Sequence, residues 1–215
     1  VDRSRLEAFS DGVFAVAITL LVLNLAVAGP GTTKHPNPSL LLQLGRLWPS
    51  FAAYVVSFFM IGIIWVNHHV LVRSIKTVNR TLLFLNLVLL LFVVLIPFAT
   101  ATMADYRLSD SWNGRVAMML YGAVFLGMSV GFSSIFEWTL HGQRVYRPLP
   151  PEKHWAARAR FVGGGLVYVV AILVALFNAV AAFLLIALVA VYYIFERTPA
   201  SPATSDSGAD DQPVV

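Results

Sequence analysis

No cysteine occurs anywhere in the 215 residues, which excludes disulfides and thiolate metal sites and leaves the redox compartment unread. Charge is scarce as well: Asp, Glu, Lys and Arg together make up 12% of the chain, about half the roughly 25% of a soluble domain. Apolar residues take their place, 58% of the total, in long blocks nearly free of charge. A water-soluble fold of this length cannot hide so much apolar surface, whereas a bilayer requires such blocks. The net charge of +4 superficially suggests nucleic-acid binding. Its placement argues otherwise, because the basic residues lie in loops beside the apolar blocks, where membrane orientation accounts for them. The expected surroundings are a lipid bilayer, with no nucleic-acid partner.

Six blocks reach the roughly 20 mostly apolar residues that a span needs: residues 6–28, 48–72, 81–103, 116–138, 157–177 and 179–195. The first is too long for a signal peptide, lacks a small-residue cleavage site, and reads as a span. The last two belong to one apolar run, residues 161–195. A single straight helix over that run would extend about 50 Å, against a hydrocarbon core of about 30 Å, so a hairpin near Asn178 is expected. Residues 198–215, rich in Ser, Pro, Ala and Asp, read as a disordered tail. The expected fold is all-α: a polytopic integral membrane protein with six transmembrane helices in a domain over residues 1–197, followed by the tail.

Lys and Arg set the orientation. With the N-terminus inside, the cytoplasmic segments hold Arg3, Arg5, Arg73, Lys76, Arg80, Arg144, Arg147, Lys153, Arg158, Arg160 and Arg197, and the outside keeps Lys34, Arg46, Arg107 and Arg115. This positive-inside bias, with an even number of spans, puts both termini in the cytoplasm. Trp48, Trp112, Trp138 and Trp155 fall at or just beyond span ends, as interfacial anchors do. Trp65 alone lies well inside a span.

Polar groups within spans are costly and mark candidate functional positions. Asp11 sits in the first span after Ser10, about one and a half turns above its cytoplasmic end. The second span returns Trp65, Asn67, His68 and His69 to that depth, and the third starts there with Asn86. Topology alone therefore gathers these residues into one layer, where hydrogen bonding satisfies groups that lipid cannot. The layer reads either as a pin holding three helices together or as a proton or ion site. His68 and His69 make a poor metal pair, because neighbours on a helix project about 100° apart whereas zinc helices use an i,i+4 pair. At the same angle per residue, Gly12, Val16, Thr19 and Leu23, flanked by Leu20 and Val27, form a stripe turned away from Asp11. Taken alone, the stripe reads as a packing or lipid face, or as a pore lining, since apolar rings gate conduction by dewetting.

The string Arg5-Leu-Glu-Ala-Phe9-Ser10-Asp11 resembles R-x-x-x-F-S-D, the first-helix signature of the transmembrane-protein-175 family of potassium channels. The following Gly-Val-Phe-Ala-Val-Ala-Ile-Thr-Leu-Leu-Val-Leu continues the likeness, and Trp65-Val-Asn-His-His69 is similar to the second helix of bacterial members. The resemblance implies a homotetramer in a bacterial plasma membrane, with four copies of the first helix lining a central pore. Lysosomal relatives carry two six-helix repeats per chain; the single repeat here fits four subunits. The family's narrowest ring falls on Val16, with further layers on Thr19, Leu20 and Leu23. Arg5, Ser10 and Asp11, with Trp65 and His68, would hold the first helix in place. One position departs from the pattern: relatives carry Ile or Leu where Val16 stands, one methylene shorter.

The implied function is a passive potassium-permeable channel with potassium as permeant ion, no fixed metal and no cofactor. The T-V-G-Y-G carbonyl filter and an Arg-rich voltage-sensing helix are both missing from the sequence, so selectivity arises without stacked backbone carbonyls. The alternative is a proton-coupled secondary transporter using Asp11 and His68, for which Pro97 is the single candidate helix break. An intramembrane enzyme would have to be built from Ser10, Asp11 and His68, which hydrogen-bonded packing explains more simply.

Overall fold

The structure is a computed structural model that describes residues 2–25, 39–106, 111–141, 144–146 and 150–195. Its elements are α1 (Arg3–Leu21, continued by a 3-10 turn over Val22–Asn24), a short α2 (Leu40–Arg46), α3 (Trp48–Ser74), α4 (Arg80–Asp105), α5 (Trp112–Leu140), α6 (Pro151–Ala175) and α7 (Ala179–Phe195). There is no strand among the described residues, only a lone antiparallel bridge from Ile75 to Val145. The expected tail and Val27 lie outside the described residues.

Helix ends follow local chemistry. The side chains of Ser39, Asn79 and Ser111 accept from the backbone N–H three residues on, capping α2, α4 and α5. Pro stands in the first turn of α3 and of α6, where its missing N–H costs nothing. Asn178 Oδ1 accepts from Ala181 N at 2.8 Å, so the expected turn between the last two helices is capped by the residue that marks it. Pro97 lies inside α4 without ending it. α2 is a feature the sequence reading missed: seven residues are too few for a span, and no span-sized pattern marks them.

The protein is an all-helical integral membrane protein. α3, α4 and α5 are each long and apolar enough to cross a bilayer, and residues Val162–Ala175 and Ala179–Phe195 are shorter apolar helices. α1 is less apolar, with Arg3, Arg5, Glu7 and Asp11 among its first nine residues.

The most extensive pairing is between α4 and α5, then between α5 and α6. Small residues permit the first of these. A Cβ on Gly131 would lie 2.9 Å from Leu89 Cα, and one on Gly127 would overlap the Phe92 ring, so the backbones approach as small-residue interfaces allow. The core between the helices holds Phe14, Leu21, Ile61, Leu89, Ile96, Tyr121 and Phe125. α7 turns back against α3, while α1 packs chiefly on α3 and α4. α1 is therefore covered on one side only.

Candidate functional site: the two faces of the first helix

The covered face of α1 comprises Leu6, Ser10, Phe14, Ala17 and Leu21, all buried. Spacings of three and four keep them on one side of the helix. Among the apolar ones sits a directed chain of hydrogen bonds. Ser10 Oγ donates to the Leu6 carbonyl at 2.9 Å, Asn86 Nδ2 donates to Ser10 Oγ at 3.0 Å, and Asn86 Oδ1 faces His68 Nε2 at 2.8 Å. Because Asn86 spends its N–H on Ser10, its oxygen must accept, so His68 donates from Nε2. The three side chains are 0–1% exposed, and the His68 ring also packs on Phe14, centroids 5.4 Å apart.

A second series runs along the α1–α3 seam. Trp65 Nε1 donates to Asp11 Oδ1 at 2.9 Å. One turn on, His69 Nδ1 lies 3.0 Å from Glu7 Oε1, which also accepts from Arg73 Nε at 3.2 Å. A further turn on, the Arg3 guanidinium donates to the Arg73 carbonyl at 3.0 Å. Steps of four backward on α1 meet steps of four forward on α3, as two antiparallel helices require. Glu7 was not singled out from the sequence, although its place midway between Arg3 and Asp11 at i,i+4 spacing marks it. Glu7, Asp11 and His69 bring one ligand atom each within 4.8 Å of one another and are the residues that could hold a cation. Both carboxylates already have N–H partners, from Arg73 and Trp65.

The structure thus puts His68 and His69 in different environments, one against Asn86 and one against Glu7. Asn67 is half-buried, and Phe9 and Arg5 are exposed. Asp11 and His68 belong to different hydrogen-bond chains, and the chain through His68 ends on a backbone carbonyl by way of a carboxamide. Such a chain tethers helices, and beyond His68 itself it contains no titratable group to pass a proton on to.

The opposite face of α1 is bare. Val16 is 55% and Leu23 72% exposed, with Leu20 at 39%. Thr19 and Gly12 are exposed beside them, and a methyl on Gly12 would meet nothing within 4 Å. Thr19 Oγ1 donates to the Val16 carbonyl at 2.9 Å, so its proton is committed and its oxygen remains an acceptor. Leu23 falls in the 3-10 turn, where the winding tightens to three residues per turn.

The sequence pattern of the family described as "Endosomal/lysosomal potassium channel TMEM175" matches residues 5–97, the segment that contains both faces. A potassium channel of Streptomyces collinus is 39% identical over 202 residues, 92% of this chain and 94% of the relative. The chain belongs to the TMEM175 family. That family is one of potassium channels, not of enzymes. The crystal structure of a lysosomal potassium-selective channel TMEM175 homologue from Chamaesiphon minutus superposes with a TM-score of 0.78 at 30% identity, covering 89% of this chain and 96% of that one. The mouse endosomal/lysosomal proton channel TMEM175 is 37% identical over 161 residues, 69% of this chain but 30% of its own length.

Proposed function

We propose that four copies of this chain assemble into a passive, potassium-permeable channel in the bacterial plasma membrane, its pore lined by α1. In this reading six helices, α1 and α3 to α7, cross the membrane, and both termini lie in the cytoplasm. One observation carries it: α1 buries one face completely and leaves Gly12, Val16, Thr19, Leu20 and Leu23 uncovered on the other. A four-fold axis provides that face with a matching surface made of its own copies, as closed symmetry does in homo-oligomers. Val16 forms the narrowest ring, with Leu20 and Leu23 continuing an apolar neck that a hydrated ion crosses reluctantly. The Thr19 oxygens offer acceptors to a partly dehydrated cation within it. The buried chain through Ser10, Asn86 and His68, with Asp11 on Trp65, fixes the angle at which α1 faces the axis. Potassium passes as the permeant ion and is not a resident cofactor.

The names of the relatives from Streptomyces collinus and Chamaesiphon minutus, both potassium channels, support potassium as the ion. The proton-coupled transporter built on Asp11 and His68 is not favoured, since those two residues sit in separate hydrogen-bond chains. The test is recording from purified protein in a planar bilayer under a potassium gradient. Unitary currents reversing towards the potassium equilibrium potential are expected, and gradient-coupled uptake without unitary currents would overturn the channel reading. A reporter fused after Phe195 should report from the cytoplasm; an exterior signal would sink the six-span topology.

A further inference from the structure

We propose that the start of α4 is a binding site for an anionic glycerophospholipid, with the phosphate on Arg80 and an acyl chain in the groove below it. A groove of about 410 Å³ opens on the surface of the bundle, lined by Arg80, Thr81, Phe84, Leu85 and Val88. Phe84 is 55% exposed and Val88 44%, so the groove is a surface channel and not part of the core. Its chemistry changes along its length. Arg80 and Thr81 form a polar head, three apolar residues follow, and the whole lining covers about 12 Å of helix. A phospholipid divides in the same way.

Arg80 is available for a phosphate. Arg3, Arg144 and Arg115 donate to carbonyls, and Arg73 and Arg158 pair with Glu7 and Glu137. The Arg80 guanidinium instead lies over the Phe84 ring, 5.5 Å from its centroid, with no carboxylate partner among the described residues. A cation–π contact of this kind takes up no N–H group, so the fork that binds phosphate oxygens in pairs is left to a ligand. The depth also fits. Arg80 opens a 26-residue helix with no other charge before Asp105, which places it where apolar span gives way to headgroups. The start of a helix also favours an anion electrostatically. Lys76, just past the end of α3 and four residues before Arg80, adds a second positive charge to the segment that leads into the helix. Anionic lipid, unlike zwitterionic lipid, gains from each such charge near the surface.

The site depends on membrane insertion and not on the pore, so its test reads lipid retention and stands whether or not the chain conducts. Purified full-length protein in detergent is titrated with dioleoyl-phosphatidylglycerol or dioleoyl-phosphatidylcholine, and retained lipid is counted by native mass spectrometry. The expected result is retention of phosphatidylglycerol at roughly fivefold lower concentration than phosphatidylcholine, in line with one charge at a surface. Arg80→Gln should abolish that preference, Arg80→Lys, which keeps the charge but loses the fork, should keep only part of it, and Val88→Trp, which fills the groove without touching charge, should lower retention of both lipids. Lys153→Gln, on the same end of the bundle but away from the groove, should change nothing.

Equal retention of the two lipids overturns the proposal, as does an Arg80→Gln protein that still prefers phosphatidylglycerol. A loss in Lys153→Gln equal to that in Arg80→Gln would mean diffuse attraction and no site. Displacement of the lipid by millimolar inorganic phosphate would assign the arginine to a free anion. Finally, Val88→Cys in this cysteine-free chain should form no disulfide between chains under oxidation. A disulfide between two chains would show that a second copy covers the groove and exclude the lipid.

Discussion

Two buried polar clusters hold this bundle, and they differ in what they reach. One joins Ser10, Asn86 and His68 and so ties α1 to α4 and α3. The other lies towards the opposite end, where Ser57 Oγ is 2.8 Å from Thr100 Oγ1 and 2.9 Å from Tyr121 Oη, tying α3, α4 and α5 together without α1. At that end, among the described residues, α1 is held by apolar packing through Ala17 and Leu21. Apolar contacts are non-directional and tolerate small slides and rotations, whereas a three-membered hydrogen-bond chain admits one geometry. The first helix is therefore registered at its N-terminal end and merely packed at the other. α3 and α4, which both clusters reach, are registered at both ends.

The largest effect should come from breaking the cluster that includes α1. Asn86→Leu keeps approximate volume but leaves the Ser10 hydroxyl short of a donor and the His68 Nε2–H without an acceptor. Each stranded buried group costs roughly 1–3 kcal/mol, so a clear fall in the thermal midpoint in detergent is expected, together with altered unitary conductance because α1 loses its register. Ser57→Ala should come next. Thr100 keeps its bond to the Ile96 carbonyl, but the Tyr121 hydroxyl, fully buried, is left alone at a cost of about 1–3 kcal/mol. Stability should fall, whereas conductance per open channel should not move. If Ser57→Ala alters conductance as strongly as Asn86→Leu, the contrast between the clusters fails.

The contrast also explains what was legible beforehand. Ser10, Asp11, Trp65, His68 and Asn86 stand out because charged and amide groups are rare inside spans, and antiparallel topology alone brings them to one depth. The second cluster is built from Ser, Thr and Tyr, which occur in spans without comment because a hydroxyl can bond back to its own helix, as Thr100 does to Ile96. Its pairing depends on rotation about three helix axes, which periodicity on helices apolar all round does not fix. α3 and α4 show this: both have apolar residues on every side, Phe59 and Leu91 exposed as Ile61 and Leu89 are buried. Gly127 and Gly131 escaped for the same reason, since a glycine announces a close approach only once the partner helix is placed. The stripe on α1 was legible because Thr19 and Gly12 break an otherwise apolar surface.

A smaller effect is expected along the α1–α3 seam. Glu7 is about one-fifth exposed and Arg73 about two-thirds, so their pairing is screened and contributes about 0–1 kcal/mol. Glu7→Gln keeps a hydrogen-bonding oxygen and removes the charge. The thermal midpoint should drop slightly, and the drop should shrink in high salt, since exposed pairs are screened over a Debye length of about 3 Å at 1 M. A loss matching that of Asn86→Leu would mean that the seam, and not the buried chain, registers α1.

The least disturbance of stability should accompany substitutions on the bare face of α1, and these separate the two faces of one helix most sharply. Leu23 is 72% exposed in the single chain, so Leu23→Ser removes little packing within the chain. If four copies of Leu23 ring a pore, the same change acts four times about one axis, wets an apolar neck, and should raise conductance while eroding preference for potassium. A lipid-facing Leu23 predicts the reverse pattern, poorer insertion with unchanged current per channel. Thr19→Val is the matched control. It is close to isosteric, removes the bond to the Val16 carbonyl, and takes away an oxygen without widening or blocking the path, so flux should fall while assembly holds. Should Leu23→Ser and Thr19→Val channels both conduct and select like the parent, α1 does not line the pore. The tether through Asn86 would then position a helix whose bare face serves lipid or a neighbouring subunit.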